Sequence, residues 1–263
     1  MPDRPIFEGP HNWASALVTE VSDHVRALWP REVTGGIAIQ IAMRVFARAR
    51  LRYQSIGLLL AYGQSDDAWN LLRGLMTDAQ RLDLLMGQPG VRDALAINWW
   101  EDALVDLENR AKAADAADQP RFATTIRNFL APQRPALEAI RKDLGAGKRP
   151  RLPKEGSALA RAVGRPEDYL DYVIGSDPGH GALPTAMWHD VRASLDGTDG
   201  ALPAIRVGDD DPTWRDAAAD RATRHFLRIA KAAAGLAGLD IHVDITAYQE
   251  QIESRLDGAI EEA

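Results

Sequence analysis

The chain contains no cysteine. That excludes disulfides, thiolate zinc sites and cysteine nucleophiles, and it fits a reducing, cytoplasmic setting. Lysine is scarce, five residues against 26 arginines, and aromatic residues make up 6%. No apolar run approaches the roughly 18 residues of a membrane span, and "MPDRPIFEGPHNW" at the start lacks the apolar core of a secretion signal. Alternating apolar runs are short, which argues against a sheet. Phosphate-loop and dinucleotide patterns are missing, as is the Gly-x-Ser-x-Gly nucleophile elbow. No Glu-x-x-His pair exists, which argues against a ferritin-like di-iron centre. No metal and no cofactor are expected.

What remains is an ordinary globular composition over 263 residues, 46% hydrophobic and 26% charged, with a net charge of −7. So acidic a chain is a poor bulk binder of nucleic acid, although a local basic face can still contact phosphate. The dominant pattern is helical. Helices are expected over 34–62, 66–87, 90–114 and 119–131, with Pro132 and Pro135 breaking or kinking the last before a short segment ends near Leu144. Ser65 is read as the cap of the second helix. The segment 145–156, "GAGKRPRLPKEG", reads as an exposed basic loop. Further helices are expected over 157–163, 166–175, 185–195, 212–237 and 244–260. The fold class is all-α: an irregular bundle of seven or more helices without significant sheet. It forms one domain over 1–263, with 1–33 as an N-terminal extension.

Candidate site residues come from three places. "DYVIGSDPGHGALP" at 171–184 sets Tyr172, Ser176 and His180 four residues apart, running into a Gly/Pro bend. His180 is suited to proton transfer near neutral pH, and Tyr172 and Ser176 to orienting a ligand; alternatively the bend is held by a satisfied histidine. On the helix 66–87, Arg73 and Asp78 flank the apolar arc, and Asp83 falls inside it. Asp83 is then either a site acid or a carboxylate that meets solvent or an arginine at the helix end. Arg44, Arg48 and Arg52 form a basic ridge at helical spacing, either an anion or RNA contact or a solvated face paired with acids.

"AWNLLRGLMTDAQRLDLLMG" at 68–87, followed by "YLDYVIGSDPGHGAL" at 169–183, resembles an uncharacterised bacterial all-helical family catalogued as a domain of unknown function. Its members carry an LLR-x-x-x-E helix and a later Tyr…Ser…His stretch. The resemblance covers about 40–190. It implies an all-helical fold with a polar cluster of Arg73, an acid at Asp78 (aspartate here, glutamate in the family), Tyr172, Ser176 and His180. It implies no established reaction. A looser likeness is to the HEPN helical superfamily, whose nucleases carry an Arg followed after four to six residues by His. No such motif occurs; "RATRH" at 221–225 has only three residues between.

Two functions follow as expectations. In one, Arg73 clamps an anionic group while Asp78 and His180 serve as catalytic groups, and Tyr172, Ser176, Asp83 and the Arg44/Arg48/Arg52 ridge bind a small nucleotide-like ligand or RNA, with hydrolysis an open question. In the other, the polar cluster only fixes packing, and faces carrying Trp13, Trp29, Trp99, Trp100, Trp188 and Trp214 bind a partner protein or a second copy.

Overall fold

The computed structural model describes residues 13–144, 153, 156–169, 172–173 and 212–261. Among them it has eight α-helices, one 3-10 turn at Pro89–Val91 and no strand. The helices are α1 (Trp13–Leu28), α2 (Ile37–Ala61), α3 (Ser65–Gly87), α4 (Arg92–Ala116), α5 (Pro120–Asp143), α6 (Ser157–Ala162), α7 (Pro212–Ala237) and α8 (Ile241–Glu261). No helix among the described residues is long and apolar enough to cross a membrane.

The apolar periodicity decides which faces meet. Ile41, Val45, Ala49, Tyr53, Ile56 and Leu60 put one stripe of α2 inside, and Ala68, Leu72, Leu75, Ala79 and Leu82 do the same for α3. Between them lies α7, whose Ala218, Ala219, Ala222, Phe226, Leu227, Ile229, Ala230, Ala233 and Ala234 are buried round most of its girth. Small alanine side chains let α2 and α3 close on it from both sides. Helix α1 packs on α2 and α7, α8 packs on α7, and α5 pairs with α4, which joins the bundle through α2.

Aromatic anchors fix this centre. Tyr53 stacks on Phe226 at 4.5 Å. Its hydroxyl lies 2.8 Å from that of Thr223, which itself donates to the Ala219 carbonyl at 2.7 Å, so Tyr53 is the donor. Full burial pushes the Tyr53 phenol far above its ordinary range, and it stays neutral. The Trp69 and Trp214 rings lie 4.7 Å apart, tilted by 31°, and Trp69 Nε1 donates to the Trp214 carbonyl at 3.2 Å. Each such side chain contributes about 1.5–3 kcal/mol by leaving water.

Several expectations need correcting. Residues 13–28, inside the expected N-terminal extension, form α1, whose Ala14, Leu17, Val18, Val21 and Val25 belong to the core. Helix α5 continues through Pro132 and Pro135. Both prolines are exposed, so the Asn128 and Ala131 carbonyls that they leave without a helical donor meet water instead. Ser65 is the first residue of α3 and makes no cap; Gln64 holds the cap position without a side-chain bond. Most of the basic loop and the expected helix 185–195 lie outside the described residues.

Candidate functional site

Helix α3 carries charge on two sides, and the sides differ. On the first, Asp78 is buried beneath α2. Arg48 Nη2 reaches its Oδ1 at 2.5 Å, and Arg52 Nη1 reaches its Oδ2 at 2.8 Å. Gly74 makes this possible: a Cβ there would sit 2.6 Å from the Arg52 guanidinium carbon. Burial is the larger influence on the Asp78 carboxyl and lifts it above its ordinary value, while the two guanidinium groups work against that rise. Arg44 extends the ridge and lies over the Trp100 ring at 5.4 Å. All three ridge arginines therefore have partners within the fold.

On the other side, Arg73, Thr77 and Gln80 line up at helical spacing, with Asp83 one turn further on. This seam faces the chain 156–173. Gly156, at φ 81°, turns the backbone into α6 beneath the rings of Tyr169 and Tyr172. Arg73 Nη2 donates to the Tyr172 hydroxyl at 2.6 Å, and its guanidinium also lies over the Tyr172 ring at 4.5 Å. Further along, Gln80 Nε2 donates to Asp168 Oδ2 at 3.3 Å. Arg228 of α7 bridges two acids, Nε to Asp83 Oδ2 at 2.6 Å and Nη1 to Asp168 Oδ2 at 2.8 Å. Gln80, Asp168 and Arg228 are all buried.

This end of the seam opens into a polar cavity of about 350 Å³. Arg165, Glu167 and Asp168 form one wall; Arg221, Arg224, His225 and Arg228 of α7 form the second; Gln249 and Glu253 of α8 form the third. Arg224 is held by Asp220 and Asp257, both at 2.6 Å. Arg228 Nη2 and Gln249 Oε1 are buried without a hydrogen-bond partner among the described residues. Both bonds that Asp168 accepts fall on Oδ2, so Oδ1 also keeps its capacity among those residues. Buried polar atoms are normally paired, and leaving one unmet costs about 1–3 kcal/mol. Two such atoms, Arg228 Nη2 and Gln249 Oε1, lie in residues that line this cavity.

A wider groove of about 520 Å³ runs between α4 and α5. Its Arg127 and Arg134 are already joined to Asp115 and Glu108. No group of three or more His, Asp or Glu side chains among the described residues could hold a metal ion.

Of the residues named from sequence, Arg73 and Tyr172 come together. Asp83 meets an arginine, Arg228. Asp78 joins Arg48 and Arg52 on the other side of α3, away from Arg73. Ser176 and His180 lie outside the described residues. Trp99 is buried, Trp29 stacks on Phe46 at 3.9 Å, and Trp214 covers Trp69, so these three do not form an outer face; Trp188 lies outside the described residues. Sequence reading missed Asp168, Arg228, His225 and Gln249. The signal was in α7: Asp220, Arg224 and Arg228 recur every fourth residue beside the buried Ala219, Ala222, Phe226, Leu227 and Ala230. A polar row along a helix buried round most of its girth needs partners or a ligand.

No family model matches the chain, and no curated protein or solved structure matches it either. Its function is therefore read from its side chains.

Proposed function

We propose that this protein binds a small anionic, nucleotide-like molecule in the cavity between residues 165–168, α7 and α8. One observation carries the reading: four arginines, Arg165, Arg221, Arg224 and Arg228, line one polar cavity. The exposed Arg165 at the rim supplies charge for a phosphate, and a cavity of about 350 Å³ suits a ligand of mononucleotide size. His225 lies in the second wall and is the proton carrier if the ligand is also turned over.

Thermal unfolding with mononucleotides tests the reading. At about a hundredfold excess over Kd, binding stabilises by about 2.7 kcal/mol, which is several degrees in Tm for a chain of this size. The variant Arg165→Ala keeps the unliganded Tm and weakens the shift. If none of the four common mononucleotides moves Tm, the proposal fails.

A second reading has its own observation. Leu51, Leu58 and Tyr62 lie along one outer face of α2 and are 64%, 56% and 45% exposed. Such a stripe suits a partner surface or a second copy. Under that reading Leu58→Arg lowers the mass measured by light scattering, while nucleotide binding is unaffected.

A further inference from the structure

Helix α5 leaves one side unpartnered. Among the described helices it packs mainly on α4, and Ala123, Ile126, Leu130 and Leu137 are its buried residues. Beside that buried face runs a second row: Phe122, Thr125, Phe129, Pro132, Ala136 and Ala139. All six are exposed, the two phenylalanines by 55% and 54%. Their alternating steps of three and four residues keep them within an arc of about 100° along about five turns, the spacing of a helix-pairing seam. No charged residue falls in the arc between Phe122 and Ala139. Exposed Arg121 borders it at one end and exposed Asp143 at the other. Arg127, Arg134 and Arg141 are joined to Asp115, Glu108 and Glu101 of α4; Arg121 and Asp143 form no salt bridge among the described residues.

The row is uneven along its length. Bulk and positive charge lie toward its N-terminal end, small side chains and negative charge toward its C-terminal end. Reversed, it complements itself. An antiparallel copy sets Phe122 on the partner's Ala139, Phe129 on the partner's Pro132 and Thr125 on the partner's Ala136. It also brings Arg121 within about one turn of the partner's Asp143. A parallel copy would crowd phenylalanine on phenylalanine and set arginine beside arginine and aspartate beside aspartate, which repel. We propose that this row is the interface of a symmetric dimer in which two copies of the chain pair through antiparallel α5 helices. Each copy offers the same surface, so the assembly closes at two. The row shares no residue with the nucleotide cavity or with the outer face of α2.

Sedimentation velocity on the full chain, over a range of concentrations, should reach twice the chain mass of 28.8 kDa. A single-chain mass throughout overturns the proposal. Phe129→Asp changes an exposed position, so it should keep the helical circular dichroism signal and return the mass to one chain. A dimer that survives Phe129→Asp and is lost in Leu58→Arg sits on α2 instead, and also overturns it. Arg121→Asp and Asp143→Arg should each loosen the dimer a few-fold, and the two together should restore it. Failure to restore it rules out the antiparallel arrangement. The chain lacks cysteine, so introduced thiols report the geometry directly. A short bis-maleimide should join two copies of Pro132→Cys, whose thiols stand near the two-fold axis. It should not join two copies of Ala139→Cys, which lie ~25 Å apart along the helices. The reverse pattern overturns the proposal, and this comparison decides it whether or not Phe129→Asp folds.

Discussion

Two ion clusters share helix α3, and they use the same chemistry. At Asp78, one carboxylate meets two arginines and each oxygen has its donor. At Arg228, one guanidinium meets two carboxylates and part of its hydrogen-bonding capacity is left over. The first cluster is closed and holds α2 on α3. The second borders a cavity. Residue type does not separate a structural cluster from a binding site; the count of unmet donors and acceptors does.

The largest expected effect breaks the second cluster. Arg228→Met removes the cation between Asp83 and Asp168 and leaves both acids without it. Loss of one partner from a buried pair costs about 3–5 kcal/mol, so denaturant titration should show a fall of that order. Asp78→Ala should cost less, about 1–2 kcal/mol, because Arg48 is 53% exposed and can turn to water. If the two losses are equal, the distinction between the clusters is wrong.

The unequal legibility of the two clusters has a physical cause. The apolar stripes of α2 and α3 were readable because burial repeats every three to four residues. Helix α1 has the same spacing in Leu17, Val21, Val25 and Leu28, but it sits next to a Pro-rich start and was absorbed into an extension. Prolines 132 and 135 argued for a break, and solvent at the freed carbonyls decided otherwise. The Asp78 cluster is half legible, since Arg48, Arg52 and Asp78 stand on two consecutive helices whose charged rows the spacing marks. The Arg228 cluster joins positions 80, 83, 168 and 228. Gln80 and Asp83 share a face of α3, but only packing brings Asp168 and Arg228 of α7 to them.

A smaller effect sharpens the comparison through pH. Burial raises the folded-state carboxyl of Asp78 above its ordinary value of 3.8, so the folded chain holds that proton more tightly than the unfolded chain. Its contribution is then fully present below the unfolded value and is lost as pH rises through the folded one. Asp78→Asn should remove this decline, seen as a flatter stability curve upward from about pH 4 than wild type. A decline of the same steepness in the variant would assign it to another group.

Gly74→Ala follows. The added methyl displaces the Arg52 guanidinium, which is mobile, and gains about 1 kcal/mol in helix propensity. The two effects offset, so stability should stay within about 1 kcal/mol of wild type while the Asp78 pH dependence steepens. The smallest effect is at Glu20, which joins α1 to α8 through Arg255 at 2.9 Å. The hydrogen bond from Arg255 holds this carboxyl below its ordinary 4.5, so its contribution is present above that value and lost as pH falls through the folded one. Glu20→Gln should move Tm by about a degree at neutral pH and by less in acid, because the pair is exposed.

The central position of α7 has a consequence for biosynthesis. Its partners α1, α2 and α3 emerge from the ribosome long before residues 212–237 are made. Until then, the stripes of α2 and α3 that flank it face an unfilled slot, and Tyr53 waits 170 positions for Thr223. Closing such distant contacts is slow. The nascent chain therefore passes through a stage with a long apolar groove open, the state that chaperones recognise, and α7 supplied as a separate peptide should compete for that groove.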